Sequence, residues 1–232
     1  MRTPLCLAFL TSAMLSSCGG DTLHEACKYT EAAFDIEEVS VLEDATGWSG
    51  YHDAVILTYD PSGLPPGGTW RPSSIDVLAM IPSSEFASFP QSVTLGVELF
   101  DANQPTPARR FIVWQTFDKN ALTWTPVTLT SPTEATELTQ KRAWWTFDLT
   151  KVLPETGMVS TTYLAGVVWP DNGRLLKVGY SNFNRPCSQN WTDYADGLGW
   201  QLNGNNGGNT CNWPMLRVAV EVTDPEGANC GG

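Results

Sequence analysis

A two-residue alternation of apolar and polar side chains runs through most of this chain and limits what it can fold into. In S-V-T-L-G-V-E-L-F, Val93, Leu95, Val97 and Leu99 fall on one side, because successive side chains of an extended strand point to opposite faces. Leu216, Val218, Val220 and Val222 do the same in P-M-L-R-V-A-V-E-V, as do Ile75, Val77, Ala79 and Ile81, and Trp145, Phe147 and Leu149. Further strands are expected near residues 37–43, 53–59, 110–117, 122–129, 162–169 and 175–180. Helical spacing reaches no further than one turn near residues 24–33. Trp114, Trp145 and Trp169 are read as core.

Connectors rich in Pro, Gly and Ser separate these runs: D-P-S-G-L-P-P-G-G-T at 60–69, D-A-N-Q-P-T-P-A at 101–108 and T-S-P-T-E-A-T-E at 130–137. None is long enough to divide the chain into domains. Roughly ten short strands with few helix signals make this an all-β protein, a single antiparallel β-sandwich over residues 37–223.

The order of features is similar to bacterial extracellular jelly-roll domains. An early strand leads to V-T-L-G-V-E-L-F, then T-T-Y-L-A-G-V-V-W and V-G-Y-S-N, a Gly-Trp at 199–200 and the closing strand W-P-M-L-R-V-A-V-E-V. The resemblance covers about residues 38–223, and the architecture is shared by many carbohydrate-binding modules. It implies ligand binding, although a fold alone does not assign function.

At the N-terminus, one basic residue, Arg2, precedes the apolar run L-C-L-A-F-L-T-S-A-M-L and then small residues. Residues 1–17 read as an export signal, too short to cross ~30 Å of hydrocarbon. No later segment is long and apolar enough to do so, and a polytopic helical membrane protein is not expected. L-S-S-C at 15–18 resembles the lipobox of bacterial lipoproteins, which implies lipidation of Cys18 as the first mature residue. Its acyl chains would hold the protein on the cell envelope. Gly19 and Gly20, in place of an aspartate, imply sorting to the outer membrane. Residues 18–36 would then be a tether, and residues 224–232 a tail.

Without the signal, 25 acidic residues face 12 basic ones. Such a charge repels phosphate backbones, so nucleic acid is not an expected partner. The remaining partners are a glycan or another envelope protein, with the membrane reached only through the lipid. Four cysteines remain beyond Cys18, an even set suited to an oxidising compartment. Three pairings are open. Cys187 with Cys211 and Cys27 with Cys230 is favoured, because one bond closes a long loop and the other ties the chain ends. Closing the 25-residue loop removes about 3 kcal/mol of unfolded-chain entropy.

That loop contains N-W-T-D-Y-A-D-G-L-G-W, residues 190–200. Sugar rings are recognised by flat aromatic faces together with amide and carboxylate partners for the hydroxyls. Trp191, Asp193, Tyr194, Trp200, Asn203 and Trp213 have that chemistry. Calcium requires six to eight oxygens. Asp193 and Asp196 could supply two for a structural ion, but the spacing departs from D-x-[DN]-x-[DN]-G and lacks the closing glutamate. No other cofactor is expected, since the phosphate-binding and dinucleotide fingerprints are absent.

Catalysis has weaker grounds. G-W-S-G-Y at 47–51 is out of register for G-x-S-x-G, and a serine triad would need His24 or His52. A glycoside hydrolase needs two acids about 5 to 10 Å apart. Asp193, Asp196, Asp171 and Glu98 are candidates among many acids. The sequence therefore favours an envelope-anchored ligand-binding module, with a structural or protein-interaction module as the alternative.

Overall fold

The computed structural model describes residues 27–35, 50–130, 137–158, 160–170, 176–202 and 210–227. They form two antiparallel sheets packed face to face. The first runs in the order β1 (Cys27–Asp35), β14 (Leu216–Asp224), β3 (Thr69–Pro82), β7 (Glu137–Asp148), β6 (Thr125–Thr130), with β9 (Lys177–Val178) against β3. The second runs β12 (Gln201–Leu202), β11 (Asn190–Asp193), β2 (His52–Thr58), β8 (Thr162–Val168), β4 (Ser92–Phe100), β5 (Arg110–Asp118). A ribbon of β10 (Tyr180–Pro186) and β13 (Thr210–Pro214) completes the described strands. The chain changes sheet between β2 and β3, β3 and β4, β5 and β6, and β7 and β8. The strands joined at these four points thus lie in opposite sheets, giving the expected jelly-roll-like sandwich.

The alternation decides which side of each strand is buried. Val93, Leu95, Val97 and Leu99 of β4 meet Ile75, Val77, Ala79 and Ile81 of β3, Trp145 and Phe147 of β7, and Val218, Val220 and Val222 of β14. Phe117 of β5 reaches across to Trp145, with ring centroids 3.6 Å apart. Beyond β8, the Trp169 indole N–H donates to the Leu176 carbonyl at 2.7 Å, so this buried ring leaves no polar atom unpaired.

Pro72 sits inside β3 without cost to the ladder. It lies beyond the last β3–β7 pair, Ser74 with Asp148, and beside a register shift in β14 between Ala219 and Val220. A residue without an N–H is tolerated at such an irregularity.

Several sequence expectations change. Residues 27–35, assigned to a tether and a helical turn, form β1 and pair with β14 from Cys27–Asp224 to Asp35–Arg217. A tertiary partner overrides weak local preference there. The strand expected at 37–43 lies outside the described residues. β6 begins at Thr125 because Trp124 is held in the preceding turn, where its indole N–H donates to the Lys119 carbonyl at 2.6 Å. Residues 190–193, expected within a loop, form β11 on the edge of β2.

Gly166 lies where β8 approaches β2 most closely. A Cβ there would stand 2.3 Å from the Asp53 carbonyl oxygen and 2.7 Å from the Ala54 Cα. Because the obstructing atoms are backbone, Gly166→Ala should destabilise by about 3 kcal/mol, the upper end of typical overpacking costs. Gly63→Ala, which would meet nothing within 4 Å, should be neutral or stabilise by up to ~1 kcal/mol. Urea unfolding of the two variants measures the contrast.

Candidate functional site

If Val93, Leu95, Val97 and Leu99 point inward, then Thr94, Gly96, Glu98 and Phe100 point outward. Strand register aligns them with outward residues of the neighbouring strands. One row reads Asp193, His52, Val168, Gly96 and Trp114. The next reads Trp191, Ala54, Gly166, Glu98 and Ile112, and a third reads Ile56, Leu164, Phe100 and Arg110.

Glu98 carries a carboxylate on this face, yet its side chain is 0% exposed. Burying a carboxylate is costly unless it is paired and hydrogen-bonded. Both its oxygens are used. His52 Nδ1 lies 2.9 Å from Oε1, while Arg110 donates to Oε2 from Nε at 3.0 Å and from Nη2 at 2.9 Å. The histidine approaches from β2, two strands away, across Gly166, where no side chain intervenes. His52 and Arg110 remain partly open to solvent, with side chains 17% and 34% exposed. Glu98 therefore fixes two donor-bearing groups at the surface without itself being available to a ligand.

Trp114 lies beside this cluster and is 46% exposed. Its ring rests on Gly96, where a Cβ would come within 3.0 Å of Cε3 and 2.4 Å of the Val168 side chain. This corrects the expectation that Trp114 is core. Phe111, Val113 and Phe117 take the inward side of β5, and the parity of F-I-V-W-Q-T-F places Trp114 outside.

Trp200 closes the other end of the face. Its ring is 5.5 Å from both Phe100 and His52, edge-on to the former. Ala54, Phe100 and Leu164 form a small outer core against which Ile56, Trp191 and Trp200 pack. The returning turn needs left-handed backbone at Ala195 (φ 56°), Gly197 (φ 85°) and Gly199 (φ 71°), and glycine removes the Cβ penalty at two of these. Asp193 accepts from the Ala195 N–H and Asp196 from the Leu198 N–H, each at 2.9 Å. The two carboxylates thus cap backbone groups of the turn. Among the described residues no group of three or more His, Cys, Asp or Glu is placed to hold a metal ion.

The structure brings Trp191, Asp193 and Trp200 to one face and turns Tyr194 toward Tyr51, ring centroids 5.8 Å apart. Asn203 lies outside the described residues. Trp213 is corrected: in β13, at 3% exposure, it belongs to the main core and cannot face a ligand at the surface. His52, Glu98, Arg110 and Trp114 were missed as a group. Glu98 in an apolar strand, followed by Arg110, was the available clue, but their meeting with His52 depends on register.

Beneath the face, β11 is tied to β2 by a buried polar group. Asn190 Nδ2 donates to Asp53 Oδ1 at 2.7 Å and Thr192 Oγ1 donates to the same oxygen at 3.3 Å. The side chains of Asn190 and Thr192 are thereby committed to structure. No protein-family model matches the chain, and no curated protein or solved structure matches it.

Burial is the main cause that raises the phenols of Tyr51, Tyr163 and Tyr180 above their ordinary value near 10; the Asp53 carboxylate adds to it for Tyr51 and Tyr180, and Tyr59 for Tyr163. The unfolded chain releases these protons from about pH 10 while the folded chain retains them. The stability they contribute is intact below that pH and is lost above it, at ~1.4 kcal/mol per pH unit per tyrosine. Urea midpoints should therefore fall as pH rises past ~10, and more gently in Tyr163→Phe. A parent and variant with identical slopes would contradict this assignment.

Proposed function

We propose that this protein is an envelope-anchored binding module whose outer face over β11, β2, β8, β4 and β5 takes a glycan. The observation that carries the reading is Trp114, 46% exposed and packed on Gly96 beside the His52–Glu98–Arg110 cluster. An open indole face suits the C–H surface of a sugar ring, and the exposed parts of His52 and Arg110 suit its hydroxyls. Asp193 and Trp114 end a row four strand spacings long, or about 19 Å. That span favours an oligosaccharide over a single sugar.

Binding is preferred to hydrolysis. Glu98 and Asp193 stand on strands three spacings apart, about 14 Å at the backbone, whereas paired glycosidase acids lie about 5 to 10 Å apart. Both Glu98 oxygens are also already engaged.

The anchor and the cystines belong to the same proposal. Lipidation of Cys18 and placement in the outer membrane rest on L-S-S-C-G-G. The pairing of Cys187 with Cys211 is supported by the β10–β13 ribbon, which sets Cys211 opposite Arg185, two residues from Cys187. Cys27 stands opposite Asp224, six residues before Cys230. Mass spectrometry of the membrane-extracted protein should find an acylated N-terminal Cys18 and both cystine peptides. Unmodified Cys18 or a 27–187 peptide would refute the respective assignment.

A glycan array probed with the intact protein, with calcium and with chelator, tests the binding reading. We expect a bound oligosaccharide whose affinity falls at least about tenfold in Trp114→Ala, with an unchanged circular dichroism spectrum. Binding indifferent to Trp114, or no glycan bound in either condition, would transfer the face to a protein partner. Binding lost only with chelator would add a structural calcium ion at Asp193 and Asp196.

A further inference from the structure

The outward side of β5 runs from Trp114 through Ile112 to Arg110, and the outward side of β8 runs beside it from Leu164 to Thr162. On the N-terminal side of Arg110 lies the short turn Pro107–Arg109, part of the connector from β4. Between this connector and the start of β8 the surface sinks into a recess of about 450 Å³, above the ~300 Å³ lower end for ligand pockets. Asp101, Asn103, Thr106, Arg109, Ser160 and Thr162 line it, with the small residues Ala102 and Ala108 at its rim. Thr162 shares the outer face with Leu164, so the recess continues the face that carries Trp114. Ala108 and Trp114 are separated by about 20 Å of extended chain.

The lining is built from within. Asp101 is buried, and its Oδ1 accepts from the Ser160 N–H at 2.7 Å, which fixes the carboxylate in the wall. Arg109 donates from Nη1 to the Asp101 carbonyl at 3.2 Å, and the same nitrogen lies 3.9 Å from Asp101 Oδ2. The Nε and Nη2 groups of Arg109 and the side chains of Asn103, Thr106 and Thr162 make no hydrogen bond to other described residues. The recess therefore presents several donors and acceptors, while its one guanidinium faces its own carboxylate. An anion would meet Asp101 and a cation would meet Arg109. A neutral group rich in hydroxyls, each able to donate and to accept, meets neither penalty.

We infer that this recess is a subsite for one uncharged sugar unit of a glycan that runs along β5 from Trp114 past Ile112 and Arg110. The inference rests on the glycan reading of the Trp114 face and extends that face along the strands, where the row from Asp193 to Trp114 extends it across them. Arg109 and Asn103 donate to the hydroxyls of the unit, and Thr106 and Thr162 donate to or accept from them. No aromatic ring lines the recess, so it contributes selectivity through hydrogen bonds while Trp114 supplies the apolar contact.

Calorimetric titration of the intact protein with uncharged gluco-, manno- and xylo-oligosaccharides of increasing length, and with a uronate oligosaccharide, tests it. Ala108 and Arg109 are exposed, so Ala108→Trp, which fills the recess from its rim, and Arg109→Gln should both keep the fold and the parent urea midpoint. Among uncharged oligosaccharides that lose affinity in Trp114→Ala, the longer ones should weaken about tenfold in Ala108→Trp and several-fold in Arg109→Gln. Those too short to reach from Trp114 to the recess should bind both variants as they bind the parent. Trp114-dependent binding that neither variant changes at any length overturns the subsite and leaves the Trp114 face standing. Binding indifferent to Trp114, or no binding, removes the face and the subsite with it. A preference for the uronate that Arg109→Gln abolishes overturns the assignment to an uncharged unit.

Discussion

The structure depends on burying two apolar faces against each other, which a single sheet cannot do for itself. Once Val97 of β4 must meet the inner residues of β3 and β7, the parity of every neighbouring strand is set. A slip of one residue would send Val93, Leu95, Val97 and Leu99 to solvent and bring Glu98 into the core. The same parity that builds the interior therefore assigns Thr94, Gly96, Glu98 and Phe100 to the outside. The outer surface is a consequence of core packing rather than a separate feature added to it.

That outer surface holds a carboxylate which is more buried than many core residues. Glu98 is tolerable because Arg110 and His52 spend donors on both its oxygens. A group buried in this manner is weak evidence for stability, since equivalent apolar packing is often as stable. Its effect is geometric: it fixes the positions of two polar side chains that would otherwise sample many rotamers. Gly96 and Gly166 contribute by absence, one leaving a bed for Trp114 and the other a path for His52 across β8. The buried Asp53–Asn190–Thr192 group secures β11, and so the turn that carries Trp200, from the opposite side of the sheet.

The two outer faces of the sandwich differ in chemistry. One mixes a buried acid with its cations and aromatic rings at both ends. The other carries Arg217 over the ring of Trp144, the guanidinium carbon 3.9 Å from the ring centroid. A β-sandwich leaves both faces available, because only the inner sides are needed for folding. Different outer surfaces on the two sheets are therefore compatible with one core.

Alternation by itself determined the all-β class, the single sandwich and most of its inward residues, because period two is a local property that any half-buried strand must show. The parity of Phe111, Val113 and Phe117 carried the signal that Trp114 lies outside, but the reading of tryptophan as core overrode it, and the structure corrects that reading. Local pattern could not supply β1 or β11, whose strand character comes from pairing with β14 and β2. Nor could it show that Trp213 turns inward while Trp191 and Trp200 meet on the surface. The joining of His52, Glu98 and Arg110 required three strands in one register, with a glycine between two of them. Only the tertiary structure decided that, because hydrogen-bond register is set between segments far apart in the chain and leaves no mark in any one of them.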